Sequence, residues 1–227
     1  MRPSRSEVSR KGGERVNTCV IVCAGGFSGL MEPLDGTDCL IAADGGLAHL
    51  EPLGLKPKRV LGDFDSLGYV PQGADVFPAE KDDTDAMLAA RQGLALGFRR
   101  FVLYGCMDGP RLDHTVAAFQ TLQFLADRGA QAHLAGVTYG ATLLQNGRAF
   151  FPPSAQGILS VFCINGTARG VTLEGVKYPL TDHTLTSGFP LGVSNHFMEQ
   201  PASVSVEDGS LLLLYDRKNG LPQIRSC

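Results

Sequence analysis

Between residues 18 and 134, short uninterrupted apolar runs alternate with helical patterns. Runs such as residues 19–23 and 101–104 have no polar alternation, which is typical of parallel strands covered on both faces. Residues 84–96 and 114–128 instead place apolar side chains at helical spacing and meet a glycine at their ends. This alternation predicts an open, mostly parallel, doubly wound α/β sheet.

The second half of the chain has a different pattern. After about residue 148, short apolar runs are separated by Gly, Asn and Pro, and no long helical pattern occurs. This predicts a small all-β sandwich domain. We therefore expect an α/β domain over residues 17–143 and an all-β domain over 144–227. Residues 1–16 are polar and basic, and we expect a disordered tail rather than a signal peptide or membrane span.

The overall charge and the cysteine pattern exclude several classes. A net charge of -3 disfavours a broad nucleic-acid surface, which needs clustered positive charge. The six cysteines include no C-x-x-C pair, so they are interpreted as buried thiols in a reducing compartment, and we expect a cytoplasmic protein with no membrane partner. The alternative of a zinc site on Cys19 and Cys23 lacks a His-rich partner segment.

Four short, acid-rich segments lie where apolar runs stop. They are Ala43-Asp44-Gly45-Gly46, Gly62-Asp63-Phe64-Asp65-Ser66, Lys81-Asp82-Asp83-Thr84-Asp85 and Asp108-Gly109-Pro110-Arg111-Leu112-Asp113-His114. Because ligands bind beyond the carboxyl ends of strands in open α/β sheets, this placement predicts one site. Carboxylates gathered there provide the hard oxygen ligands of Mg²⁺, which usually serves a nucleotide's phosphates.

The second segment holds two carboxylates in close sequence. On extended backbone Asp63 and Asp65 would point the same way while Phe64 points into the protein. Two aligned carboxylates can share one divalent ion, and Gly62 leaves room for a phosphate near the main chain. The alternative is an Asx-type turn with solvated acids.

The other three segments also have simpler explanations. Asp83 or Thr84 is expected to cap the first long helix, which leaves Asp85 to face the ion or a substrate hydroxyl. Arg111 could clamp a phosphate near a helix N-terminus, or the loop could be ordinary, with Asp113 as its cap and a structural His114. The Asp-Gly-Gly segment is also a common turn, and the chain carries no P-loop sequence.

Taken in order, the four segments resemble the thiamine pyrophosphokinase (thiamine diphosphokinase) family. Members of that family carry Asp-Gly-Gly, Gly-Asp-Phe-Asp-Ser, Lys-Asp-x-Thr-Asp and Gly-x-Arg-x-Asp-His segments at similar spacing. The resemblance continues in residues 175–180 and 192–195 and covers about residues 18–215. Each segment alone is common, whereas the ordered set is specific.

The resemblance implies transfer of diphosphate from ATP to the hydroxyl of thiamine, giving thiamine diphosphate and AMP. It implies Mg²⁺ as cofactor, nucleotide binding on the first domain, thiamine binding on the second, and a homodimer with active sites at the subunit interface. The implied metal ligands are Asp44, Asp63, Asp65 and Asp85. A pyrophosphokinase for another alcohol such as a pterin, or a non-catalytic nucleotide or thiamine diphosphate sensor, remain the alternatives.

The resemblance also implies individual roles. The implied catalytic residues are Asp63, Asp65, Asp85 and Arg111. The implied substrate and nucleotide contacts are Asp44, Gly45, Gly62, Lys81, Asp82, Thr84, Asp113, His114, Ser194 and Asn195. Because the chain has no tryptophan, Phe189 and Phe197, which flank Ser194 and Asn195, are the candidates for an aromatic wall of the thiamine pocket.

Overall fold

A computed structural model describes residues 16–64, 67–78 and 83–226. Within this part of the chain the α-helices are α1 (Leu47–Leu50), α2 (Asp85–Ala95) and α3 (Leu112–Ala126). The strands are β1 (Thr18–Val22), β2 (Cys39–Ala43), β3 (Arg59–Gly62), β4 (Asp75–Val76), β5 (Arg100–Tyr104), β6 (Gln131–Ala135), β7 (Tyr139–Phe151), β8 (Ile158–Cys163), β9 (Thr167–Glu174), β10 (Leu180–Thr186), β11 (Gly192–His196), β12 (Ala202–Asp216) and β13 (Gln223–Ser226).

The first six strands form a parallel sheet in the order β4-β3-β2-β1-β5-β6. Every residue of β1 and β2 is buried, as expected for central strands with both faces covered. Strand β2 lies on one side of β1, and the chain later returns to place β5 on the other side of β1. The carboxyl ends of β1 and β5 therefore border the crevice at the topological switch point, where open α/β sheets bind ligands.

Both faces of the parallel sheet carry a hydrophobic core. Helices α2 and α3 pack over one face, with Leu122 and Leu125 of α3 fully buried. On the other face, the residues between β1 and β2 join α1, and Leu30, Leu34 and Leu50 pack there. The predicted doubly wound α/β sheet is confirmed.

The second half is an all-β domain, as predicted, and it shares strands with the first. Strand β7 pairs antiparallel with β6 and then with β12 along its whole length. The register of β12 with β7 breaks between Val206 and Ser210. Strand β12 pairs with β9 up to Asp208 and with β8 from Leu211 onward. A separate core around Phe151 and Tyr215 fills this domain. The predicted boundary at residues 143 and 144 falls inside β7 and stays a prediction.

The longest helix in the described residues, α3, has 15 residues. Among these residues, none of the helices has both the length and the apolar character that crossing a bilayer requires.

His133 of β6 is a titratable group inside the sheet. It is 2% exposed, and its Nδ1 atom has no hydrogen-bond partner among the described residues. Burial, with a smaller contribution from the charge of Arg100, lowers the pKa of His133 to about 3. In the unfolded chain the pKa of the same side chain is about 6.5. The unfolded state therefore binds one proton more than the folded state between these values.

This difference predicts a pH-dependent stability. As the pH falls from 7 to 5.5, the free energy of unfolding should drop progressively more steeply, and the contribution of His133 to the slope should approach a limit of about 1.4 kcal/mol per pH unit. Urea unfolding at several pH values measures it. His133→Gln should flatten this slope, while His183→Gln, at an exposed position on β10, should leave it unchanged. Equal slopes in wild type and His133→Gln would contradict the assignment.

Candidate active site

Three carboxylates from three separate segments meet beyond the parallel sheet. One oxygen each of Asp44, Asp63 and Asp85 lies within 4.8 Å of the others. Asp44 directly follows β2, Asp63 directly follows β3, and Asp85 is the first residue of α2. The structure thus brings together three of the four predicted metal ligands. The fourth, Asp65, lies outside the described residues.

Unusual backbone conformations permit this close approach. Asp44 has a φ of 49°, a left-handed conformation that Asp tolerates better than most residues. Gly62 has a φ of 150°, and a Cβ atom there would lie 3.0 Å from the Cα atom of Asp44. A larger residue at position 62 would push the ends of β2 and β3 apart, so this glycine serves the carboxylate cluster directly.

The backbone after Gly62 differs from the extended form predicted from sequence. Phe64 has a φ of 60°, so the extended conformation expected for residues 63–65 is wrong. The chain turns here because β3 ends at Gly62. The other half of the expectation is confirmed, since the Phe64 side chain is buried at 3% exposure.

At the start of α2, one residue caps the helix and the next belongs to the carboxylate cluster. Thr84 is the N-cap, and its Oγ1 atom accepts a hydrogen bond from the Met87 amide at 3.2 Å. Asp83 forms an ion pair with Arg91. Asp85 is left to face Asp44 and Asp63, at the helix end whose dipole favours negative charge. The predicted contacts Lys81 and Asp82 lie outside the described residues.

A cavity of about 330 Å³ adjoins the carboxylates at the switch point. The carboxyl ends of β1 and β5 form its base, and Asp44, Asp85, Arg111 and His114 contribute to its walls. Such a crevice is the usual ligand site of this sheet type. Gly45 lies buried beside Asp44, just outside the lining.

Arg111 lines this cavity with an exposed side chain, and Asp113 pairs with it. Helix α3 begins at Leu112 with Arg111 in the N-cap position, so the alternative that Asp113 caps the helix is wrong. The Arg111 Nε atom donates to Asp113 Oδ1 at 3.2 Å, and this bond lowers the pKa of Asp113. Both side chains are more than 60% exposed, and an ion pair this exposed contributes little to stability.

Sequence reasoning missed the segment that follows β1. Cys23, Ala24 and Gly25 line the cavity opposite Gly105 and Cys106. A Cβ atom on Gly25 would lie 2.5 Å from the Gly105 carbonyl oxygen, so the two strand ends are in close contact. The sequence did indicate this segment, because it follows a buried strand as the acidic segments do.

Ser194 and Asn195 lie in β11, and no residue of the all-β domain lines the described cavity. Asn195 is 3% exposed, and its side-chain amide accepts from the Tyr178 N–H at 2.9 Å and donates to the Tyr178 carbonyl at 2.7 Å. Ser194 is exposed, with a φ of 60°. A single copy of the chain therefore does not bring the two predicted groups of residues together.

Of the two aromatic residues predicted to line the thiamine pocket, one is buried in the core and one is exposed. Phe197 is 7% exposed and packs against Phe151 with ring centroids 5.0 Å apart, so it belongs to the core of the all-β domain. Phe189 is 66% exposed and is free to contact a ligand or another chain.

Comparison with known proteins decides the family. Residues 31–134 match the family model described as thiamin pyrophosphokinase, catalytic domain, and residues 151–211 match that described as thiamin pyrophosphokinase, vitamin B1 binding domain. The chain belongs to the thiamin pyrophosphokinase family. The two matches together cover most of the chain, in the expected order.

Individual relatives agree with this family. A thiamine pyrophosphokinase of Bacillus subtilis is 28% identical over 213 residues, covering 85% of this chain and 96% of the relative. The crystal structure of the Geobacillus thermodenitrificans thiamin pyrophosphokinase has a TM-score of 0.71 at 27% identity, covering 88% of this chain and 97% of that one. The yeast thiamin pyrophosphokinase shares the fold, with a TM-score of 0.68 at 13% identity. The match covers 90% of this chain and 87% of the yeast chain.

Membership of the thiamin pyrophosphokinase family confirms the enzyme class expected from the four acidic segments, a thiamine diphosphokinase. The structure adds which residues of the segments meet in space. It also separates residues that share the cavity, such as Asp85 and His114, from those in the second domain.

Proposed function

We propose that the cavity at the carboxyl ends of β1 and β5 binds ATP with Mg²⁺, and that thiamine accepts a diphosphoryl group there. The observation that carries this proposal is the cluster of Asp44, Asp63 and Asp85 oxygens within 4.8 Å, beside a cavity at the switch point. Family membership supplies the acceptor, since the second matched domain is described as vitamin B1 binding.

The chemistry of the three side chains fits Mg²⁺. This ion prefers oxygen ligands, takes about six of them, and commonly binds one or two carboxylates together with substrate phosphates and water. Asp44, Asp63 and Asp85 would hold it, and Asp65, two residues after Asp63, is proposed as a further ligand. When bound, Mg²⁺ supplies charge neutralisation for the triphosphate.

The reaction forms one bond and breaks one. The hydroxyl oxygen of thiamine attacks the β-phosphorus of ATP, the bond from that phosphorus to the oxygen bridging to the α-phosphate breaks, and AMP leaves. Asp85, also a proposed Mg²⁺ ligand, orients this hydroxyl through its other carboxylate oxygen and takes up its proton there. Arg111 and Lys81 stabilise the charge that shifts toward AMP. Positioning and charge neutralisation account for most of the catalysis in such transfers.

The remaining predicted contacts are assigned to the nucleotide. Asp82, the backbone N–H groups near Gly45 and Gly62, Thr84 at the start of α2, and Asp113 and His114 at the start of α3 are proposed to contact it. Helix N-termini favour anions through their unsatisfied N–H groups and dipole. His114 lines the cavity in the first turn of α3, which supports its assignment.

We further propose a homodimer in which the thiamine side of each site comes from the partner. Ser194 and Asn195 lie outside the cavity lining of their own chain, and the matched vitamin B1 binding domain contains them. Three apolar side chains near them in sequence, Tyr178, Phe189 and Met198, are each at least 50% exposed. Grouped exposed apolar side chains are typical of contact surfaces.

A cytoplasmic location is part of the same proposal. Cys19, Cys23, Cys39, Cys106 and Cys163 are free thiols, as expected in a reducing compartment. ATP is also available there as the donor.

The reaction predicts equal amounts of AMP and thiamine diphosphate from thiamine, ATP and Mg²⁺. Asp63→Asn and Asp85→Asn should each lower turnover by about 10²–10³-fold with unchanged folding, because each removes charge that acts on the transition state. Product chromatography measures both nucleotide and vitamin products. Asp208→Asn is the matched control, since Asp208 is an exposed acid of β12 paired with Arg169.

Two outcomes would contradict the proposal. Formation of ADP and thiamine monophosphate would indicate transfer of a single phosphoryl group. Near-normal turnover by Asp63→Asn or Asp85→Asn would remove these carboxylates from the catalytic site.

The dimer proposal predicts complementation between two inactive variants. Asp63→Asn alters the metal side, and Asn195→Ala removes the side chain that holds Tyr178. After subunit exchange, half of the dimers are mixed and each has one intact site, so turnover should return to about a quarter of wild type in a symmetric dimer. Circular dichroism of each variant controls for folding.

Absence of recovery, with mixed dimers demonstrated by differently tagged subunits, would assign both groups of residues to the same chain. A monomer in light scattering at assay concentration would overturn the proposed dimer.

A further inference from the structure

Two thiols lie in the cavity wall where the strands β1 and β5 end. The Sγ atoms of Cys23 and Cys106 are 3.3 Å apart, and both side chains are half-buried and line the cavity. They come from distant parts of the sequence, 83 residues apart. The proposed phosphoryl transfer assigns no role to either sulfur.

The backbone fixes the two thiols relative to each other. The Cys23 amide donates to the Tyr104 carbonyl at 2.9 Å, and the Gly25 amide donates to the Gly105 carbonyl at 3.0 Å. These bonds continue the pairing of β1 with β5 beyond the last strand residues. Since a disulfide has an S–S distance of about 2.05 Å, the sulfurs need to approach by only about 1.3 Å, which rotation of the two side chains can provide.

We propose that Cys23 and Cys106 form a reversible disulfide that shuts down the active site under oxidising conditions. The oxidant is a hydroperoxide. The thiolate of one cysteine attacks a peroxide oxygen and the O–O bond breaks, giving a sulfenic acid. The departing oxygen takes up the proton that the thiol had released and leaves as water or an alcohol. The sulfur of the other cysteine then attacks the sulfenic sulfur, the S–O bond breaks, and the thiol proton leaves with the hydroxyl group as water. A dithiol reverses the step and is itself oxidised to a disulfide.

The two sulfurs share one environment, and either can react first. The close approach of Cys106, burial, and the charges of Asp85 and Asp44 raise the pKa of Cys23. A raised pKa lowers the fraction of Cys23 that is thiolate, the reactive form. Formation of the linkage itself depends on the 3.3 Å separation of the two sulfurs.

The expected consequence is loss of turnover. Cys106 begins the segment that leads to Arg111, and Cys23 lies opposite it in the same cavity. A bond between them draws the cavity wall inward beside the proposed nucleotide site, and a misplacement of about 1 Å can cost on the order of 100-fold in rate. This effect on turnover rests on the proposed function, whereas formation of the bond does not.

Another thiol pair provides the matched control. Cys19 and Cys39 are in register on β1 and β2, but they are 0% and 3% exposed and lie in the core rather than in the cavity. A hydroperoxide reaches Cys23 and Cys106 through the cavity, while core packing shields Cys19 and Cys39. Bound Mg·ATP should also slow oxidation of the cavity pair.

The test treats the reduced full chain with hydrogen peroxide, with and without Mg·ATP. Intact mass under non-reducing conditions and peptide mapping should reveal loss of two hydrogens and a Cys23–Cys106 linkage, formed more slowly with Mg·ATP. Turnover, measured as AMP release, should fall at least about tenfold and return with dithiothreitol. Cys23→Ser and Cys106→Ser, each compared with its own untreated activity, should resist this loss, while Cys19→Ser/Cys39→Ser should lose activity as wild type does.

A linkage between other cysteines, no intramolecular linkage, or full turnover after complete Cys23–Cys106 linkage would overturn the proposal. The mass measurement on wild type decides the linkage even if a serine variant fails to fold. Absence of AMP from the untreated enzyme would instead reject the proposed function, and the linkage would still be judged by mass.

Discussion

The organising constraint of this molecule is the approach of three like charges. Asp44, Asp63 and Asp85 bring carboxylate oxygens within 4.8 Å of one another. At an effective dielectric constant of about 20, each pair of full charges at that distance repels by about 3.5 kcal/mol. The positive end of α2 offsets part of this repulsion, and a divalent cation would reverse it. Under the proposed function, a bound divalent cation would stabilise this arrangement.

The surrounding fold keeps these charges together. Parallel strands with both faces buried fix the positions of their carboxyl ends, and Gly62 lets the ends of β2 and β3 come within contact of each other. The all-β domain also helps to fix the segment that follows β1. Its Arg217 donates hydrogen bonds to Ser28 and to the Gly29 carbonyl, which holds the segment that leaves the cavity after β1. Because β7 and β12 extend along both domains, the second domain is firmly connected to the first.

Much of this could be predicted from local sequence. Continuous apolar runs identified β1, β2 and β5, and the position of acids after such runs identified Asp44 and Asp63 as neighbours. Other features depend on distant contacts and left no local signal. The role of Asn195 in holding Tyr178 and the burial of Phe197 against Phe151 depend on contacts between segments far apart in sequence. The Cys23 and Cys106 pair became visible only when the order of the strands was known.

The location of the metal tests the central claim most directly. Crystals of the enzyme grown with Mn²⁺, which replaces Mg²⁺ and scatters anomalously, and a non-hydrolysable ATP analogue would locate the ion. The account predicts an anomalous peak at bonding distance, about 2.0–2.3 Å, from oxygens of Asp44, Asp63 and Asp85, with phosphate oxygens completing its coordination. A well-occupied peak elsewhere, with these three carboxylates free of metal, would contradict it.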